Sequence, residues 1–268
     1  MITFFRKLRA SLLAEGKTGK YLKYAIGEII LVVIGILIAL SINNWNEDRK
    51  ESSIEQNYLK RLLIDIESDY GTLTLSKGLS QERINQINLL TDVIKNPVLV
   101  NKNPKQIIVS IEKISWRSYL PLSRIVYNEL LSSGNMSLIK SENLRELLLK
   151  YYGTADHWEM ILNQDDCQKE FIQGTAGLLS AEILAAIENS EWIDSSKSTH
   201  FIDINIEEEE VARIVEELSS NSEAIRWMPK IYHYHVLSEK IIENLLYQNE
   251  ALKNLILSEL NDTTTANN

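Results

Sequence analysis

Cysteine is all but missing: Cys167 is the only one in 268 residues. That excludes an intramolecular disulfide and a cysteine-rich zinc site, and leaves a lone thiol expected to be a small buried residue. Proline and glycine are also scarce, at four and ten. Long stretches contain neither, which argues against a turn-rich β fold and for helices. No GxSxG, HExxH, P-loop or glycine-rich phosphate motif occurs. Basic charge is in deficit overall, with a net −9. Residues 1–42 hold six basic side chains (Arg6, Lys7, Arg9, Lys17, Lys20, Lys23) against Glu15 and Glu28, so residues 43–268 carry −13. A domain that acidic has no electrostatic footprint for nucleic acid, whereas the short basic end suits an anionic membrane surface.

Long apolar runs are missing too, with one exception. "YAIGEIILVVIGILIALSI", Tyr24 to Ile42, spans 19 residues, about 28 Å as a helix against a hydrocarbon core of roughly 30 Å. Between Ala25 and Ile42 stand twelve Leu, Ile or Val residues. Together they favour insertion by around 5 kcal/mol, against at most about 3 for one acid at the centre. Insertion is expected despite Glu28. A cleaved signal peptide fits less well, because the residues before Tyr24 have a pattern of their own. Phe5, Leu8 and Leu12 share a helical face beside Arg6, Lys7 and Arg9, as in an interfacial helix on lipid headgroups. Tyr21, Tyr24 and Trp45 fall where aromatic belts belong. The basic excess before the span predicts a cytoplasmic N-terminus and an acidic domain in the periplasm, anchored in the inner membrane.

Beyond the span, apolar residues recur at helical steps: Leu59, Leu63, Ile66, Tyr70, Leu73, then Ile84, Ile87, Leu90, Ile94. This predicts a long helix from Asn46 to about Asn96, bent near Gly71–Gly78 and ended by Pro97. Asn103–Pro104 starts a helix through about Trp116. Gly134 ends another, and Ser141 caps the one bearing Leu144, Leu147, Leu148 and Tyr151. Further helices are expected at about 155–188, 206–219 and 230–260, with a loop from Asn189 to Asn205. The fold expected is all-α, one N-terminal transmembrane helix followed by a helical bundle with a long first helix. Its parts are a basic interfacial segment (1–20), a transmembrane helix (21–44), a periplasmic helical domain (45–261) and a disordered tail (262–268).

The span "YAIGEIILVVIGILIALSINNWNEDRK", the preceding "FFRKLR" and "YNELLSSGNMSLIKSENLRELLLKYY" resemble an uncharacterised family of single-pass membrane proteins of Gram-negative bacteria. The likeness is strong over residues 1–50 and 119–152 and weaker elsewhere. It implies topology and carries no activity or catalytic residue.

Candidates for chemistry are few. His233 and His235 in "YHYH" point about 200° apart on a helix and cannot share one ion. His235 and Glu239 share a face without a third ligand, so surface roles are expected for both histidines. Glu207–Glu210 falls where a helix begins, where acids offset the exposed amide dipoles. "DHWE" (Asp156–Glu159) and Asp165–Asp166 lack ligand-loop spacing. No cofactor or metal site is indicated. Glu28 shares a face with Val32, Gly35, Ala39 and Ile42, and Gly35–Ala39 is a small-xxx-small pair that admits a second helix. Glu28 either serves that contact or reaches the headgroups near Tyr24. Three readings follow. The chain is a non-enzymatic assembly or accessory subunit, with the bilayer, a second copy or an unknown membrane or periplasmic protein as partners. Alternatively it is an ion-coupled, stator-like or channel-associated subunit using Glu28, or a periplasmic enzyme, which requires a concave polar site.

Overall fold

The computed structural model describes residues 18–118, 120–164, 166–192 and 206–266. Those residues are overwhelmingly helical and include no strand. Nearly all of the expected interfacial segment, and residues 193–205 of the expected loop, lie outside the described residues. The first helix, α1, runs unbroken over Thr18–Lys95, through both Gly71 and Gly78. A 3₁₀ turn follows at Pro97–Lys102, then α2 (Pro104–Lys113), α3 (Ile125–Ser133), α4 (Glu142–Asn163), α5 (Cys167–Thr175) and α6 (Ala181–Trp192). After them come α7 (Glu208–Ser220), the short α8 (Ser222–Ile225) and the long α9 (Met228–Ala266). The chain divides into two compact units, Met1–Tyr58 and Leu59–Asn268.

In the first unit the apolar stretch of α1 is uncovered. The most apolar 18-residue window has no buried residue, and the helix is long and apolar enough to cross a membrane. Leu31, Leu37 and Ile42 are 67%, 56% and 61% exposed. Side chains of this kind stay exposed to water only at a cost of about 1.5–3 kcal/mol each, relative to burial.

In the second unit α1 contributes a seam of buried residues at alternating steps of three and four: Leu59, Leu62, Ile66, Asp69, Leu73 and, further on, Ser80, Arg83, Ile87 and Leu90. That spacing keeps one stripe of a helix against its neighbours. The stripe differs from the expected one. Tyr70 is exposed, and Leu62 rather than Leu63 is fully buried. The carboxylate of Asp69 occupies the core position because its hydrogen bonds are satisfied inside the fold. Against this seam lie α3, α4 and α9. Lys77 pairs with Glu243 at 2.8 Å, Lys253 with Glu67 at 2.9 Å and Arg61 with Glu129 at 2.5 Å. These ties are partly exposed and worth little individually. The packing rests on the buried Leu144, Leu148, Tyr151 and Tyr152 of α4 and on Ile242, Leu245, Leu252 and Ile256 of α9.

Helix ends follow local chemistry. Pro104 opens α2, although the Asn103 side chain makes no capping bond, and α2 stops at Lys113, three residues short of Trp116. Ser141 caps α4 by accepting from the amide of Leu144 at 3.4 Å. α4 then runs on to Asn163. The region expected as a single helix over 155–188 is thus broken into the end of α4, α5 and α6. α6 reaches Trp192, past the expected loop start at Asn189, and α9 continues to Ala266, so most of the expected disordered tail at 262–268 is helical.

Gly134 ends α3 with φ +73°, a left-handed conformation that a side chain resists, whereas Gly153 sits in mid-helix with open space where a Cβ would go. Gly134→Ala is therefore expected to lower stability by about 1 kcal/mol. Gly153→Ala is expected to raise it by roughly 0.5–1 kcal/mol through better helix propensity. Urea unfolding of the detergent-solubilised chain, followed by helical circular dichroism, checks the opposite signs; shifts in the same direction contradict the assignment.

Candidate functional site

Glu28, Gly35 and Ala39 fall on one face of α1, since steps of seven and four residues return close to the same azimuth. Glu28 is half-buried, while Gly35 and Ala39 are exposed. A Cβ built on Gly35 meets nothing within 4 Å. Among the described residues nothing requires a glycine there.

The other sequence candidates resolve as follows. Glu208, Glu209 and Glu210 occupy the first turn of α7, where their charge meets the helix amide end. Asp156 and Glu159 lie 2.5 and 3.5 Å from the guanidinium of Arg124, and Asp166 lies 3.8 Å from that of Arg117. Cys167 is buried at the start of α5. Among the described residues no group of three or more His, Cys, Asp or Glu side chains is placed to hold a metal ion. His233 is exposed as expected. His235 is not: it is fully buried, a correction to its expected surface role. The reason is a helix end. Its Nε2 lies 3.0 Å from the carbonyl oxygen of Ile114, just past the C-terminus of α2. Such a carbonyl has no helical partner and takes an outside donor.

Two polar clusters interrupt the apolar seam of α1. In the first, Asp65 and Asp69 are one turn apart and both face the segment leading into α3. Asp69 accepts from the amide of Ser123 at 2.6 Å and from the hydroxyl of Tyr151 at 3.1 Å. Asp65 accepts from the Ser123 hydroxyl at 2.8 Å and from the Val126 amide at 3.1 Å. The hydroxyl of Tyr152 donates to the Ser123 carbonyl at 2.9 Å. All three polar groups of Ser123 are thereby held. Tyr152 stacks on Tyr127 with ring centroids 4.3 Å apart. Asn249 of α9 donates to the Ile66 carbonyl at 2.8 Å and to the Tyr151 hydroxyl at 3.3 Å. The arrangement caps α3 from outside, since Arg124 at its N-cap makes no side-chain capping bond. Burial raises the Asp69 carboxyl to about 6, outweighing the lowering by the Ser123 amide and the Tyr151 hydroxyl. The two tyrosine hydroxyls are pushed up by the same burial and so stay protonated donors.

The second cluster surrounds a recess of about 100 Å³ walled by Ser80 and Arg83 of α1, Trp116, Arg117 and Ser118 from the segment after α2, and His235 of α9. Arg83 is buried and donates to Gln86 at 3.3 Å, with Glu82 3.9 Å away. The Ser80 and Ser118 hydroxyls are 3.0 Å apart. Lys113, also buried, places its ammonium 3.5 Å from the centre of the Trp116 ring, a cation–π contact. Sequence reading missed both clusters. The available signal was polar residues at 69, 80 and 83 in an otherwise apolar three-four repeat.

Residues 28–208 match DUF6090, a family of unknown function. The match includes α1 from Glu28 onward, Ser123 and Tyr152, and ends at the start of α7, before His235 and Asn249. Neither a curated protein nor a solved structure matches the chain.

The raised carboxyl of Asp69 has a signed consequence. Its contribution to stability is full below about pH 4 and is lost as pH rises through about 6, where the buried group must ionise. Asp69→Asn cannot ionise and keeps an acceptor for the Ser123 amide. Relative to the parent, it is expected to gain roughly 2–3 kcal/mol of stability between pH 4 and 7. Urea midpoints at both ends of that range measure the gap, and a gap independent of pH contradicts an ionising Asp69.

Proposed function

Because the chain belongs to DUF6090, a family that brings no activity with it, we propose a role from its own geometry: a single-pass, membrane-anchored accessory subunit without catalysis of its own. The apolar stretch of α1 crosses the inner membrane, the basic N-terminal end stays in the cytoplasm and the acidic helical domain faces the periplasm. One observation carries this reading. The apolar stretch has the length of a hydrocarbon core and is uncovered by the rest of its own unit. Contiguous apolar surface of that extent marks a membrane or a protein partner.

The face of Glu28, Gly35 and Ala39 supports self-association within the bilayer. Glycine in mid-helix costs about 0.5–1 kcal/mol relative to alanine. At Gly35 the fold offers no compensation, as neither a positive φ nor a crowded Cβ position requires it. A second helix packed closely against that face supplies one, through van der Waals contact between backbones.

A reporter active only outside the cytoplasm, fused after residue 260, is expected to be active; silence there with a lit cytoplasmic reporter reverses the orientation. For association, a cysteine placed at Asn46 in a Cys167→Ser background should cross-link between copies. Gly35→Leu should weaken that cross-linking at least several-fold, while Glu28→Gln, which keeps a hydrogen-bonding side chain, should leave it intact. Undiminished cross-linking of Gly35→Leu rejects the packing face. An ion-coupled role for Glu28 would instead show as retained assembly with lost function in Glu28→Gln.

A further inference from the structure

A groove of about 380 Å³ runs between the last turns of α1 and the corner where α8 meets α9, wholly within the second unit. Its size falls within the roughly 300–1,000 Å³ of small-molecule sites. Ile87 and Ile94, seven residues apart on α1, line one side, and Ile225 of α8 and Met228 of α9 line the other. Ile87 and Met228 are buried, while Ile94 and Ile225 are half-buried. The groove therefore has an apolar floor and an open mouth.

One edge of it is polar. Asn88, Thr91 and Lys95 follow at steps of three and four along α1, so they share a side of the helix. The Thr91 hydroxyl is already used, donating to the Ile87 carbonyl at 2.8 Å. Lys95 is exposed in the last turn of α1, where the helix dipole favours a cation. Among the described residues its ammonium has no ion-pair partner. The neighbouring cations are engaged: Arg226 lies 3.4 Å from Glu223, and Lys230 lies 5.7 Å from the centre of the Trp227 ring. No carboxylate lines the groove. Asp92, one residue after Thr91, is turned about 100° from it around the helix. In a domain that is acidic as a whole, the single charge on this wall is positive.

We propose that this groove binds a free alkyl carboxylate of about eight carbons, its chain on the floor of Ile87, Ile94 and Met228 and its carboxylate at Lys95. The length follows from the helix. Asn88 to Lys95 covers roughly 10 Å at about 1.5 Å per residue, and an extended chain covers roughly 1.2 Å per bond. The unbranched thioether of Met228 adapts to such a chain. An extended peptide would instead press its amides against the apolar floor, where they find no partner. An alkyl amine would set a like charge against Lys95.

Methyl NMR of the full chain, with isotope-labelled methionine and held in lipid nanodiscs, reads the groove directly. Met228 lines it, whereas Met136 and Met160 do not and report general partitioning. At pH 7 octanoate is expected to shift the Met228 methyl saturably, with half-saturation below about 5 mM, and to leave Met136 and Met160 in place. Octylammonium, with the same chain and the opposite charge, is expected to need at least about tenfold more. Lys95→Gln should weaken octanoate binding about threefold or more, as for loss of an exposed charge pair, and Lys95→Arg should retain it. Helical circular dichroism should be unchanged in both. The proposal is overturned by no saturable Met228 shift below about 5 mM, as where another segment of the chain fills the groove. Equal shifts at Met136 and Met160, octylammonium matching octanoate, or undiminished octanoate binding by Lys95→Gln overturn it as well. The comparison of the two ligands stands even where a variant fails to fold.

Discussion

The helical unit turns on Ser123. Its amide and hydroxyl are taken by Asp69 and Asp65 of α1, and its carbonyl by Tyr152 of α4. One residue in a non-helical segment is thereby tied to two helices, and α3 begins only two residues later, with its Val126 amide also on Asp65. A helix start leaves four amides without partners, and α3 lacks a side-chain cap of its own. The position of α3 thus depends on a carboxylate pair about sixty residues earlier in the chain. Tyr151, bound to Asp69, passes the constraint to Asn249 and so to α9.

Such a network is better understood as specifying an arrangement than as adding stability. Hydrogen bonds to charged groups contribute about 1.5–3 kcal/mol each, while removing a carboxylate from water costs several kcal/mol. The rise of the Asp69 carboxyl to about 6 shows that desolvation is the larger effect there. What the pair supplies is register. An apolar seam at Leu59, Leu62, Ile66 and Leu73 tolerates sliding by a turn, because one Leu or Ile replaces another with little penalty. A slid seam would leave Asp69 facing hydrocarbon with nothing to bind, and that state is excluded by the cost of an unpaired buried charge.

This explains which parts were legible in the sequence. The all-helical class, the Gly134 stop, the Ser141 cap and the acidic first turn of α7 follow from local rules, and the structure has each of them. The face of α1 was misread at Tyr70 because apolar periodicity counts Tyr as core and Asp as surface. In the fold Tyr70 is exposed and Asp69 is buried, a reversal decided by partners at Ser123 and Tyr151 that lie 54 and 82 residues away. His235 was misplaced for the same reason. Its burial is set by the Ile114 carbonyl 121 residues earlier, and nothing in "YHYH" announces that partner.

The two polar interruptions of the seam also differ in how fully their groups are met. Around Asp65 and Asp69 the donors supplied by Ser123, Val126 and Tyr151 meet the acceptors, and the space between them is closed by stacked Tyr127 and Tyr152. Around Arg83 and His235 a recess remains, Glu82 lies 3.9 Å from Arg83, and among the described residues Nδ1 of His235 has no partner. Polar clusters that serve only the fold close on themselves, since an unmet buried group is a net cost. A cluster that leaves both room and an unmet acceptor forgoes stability that a simple apolar substitution would supply.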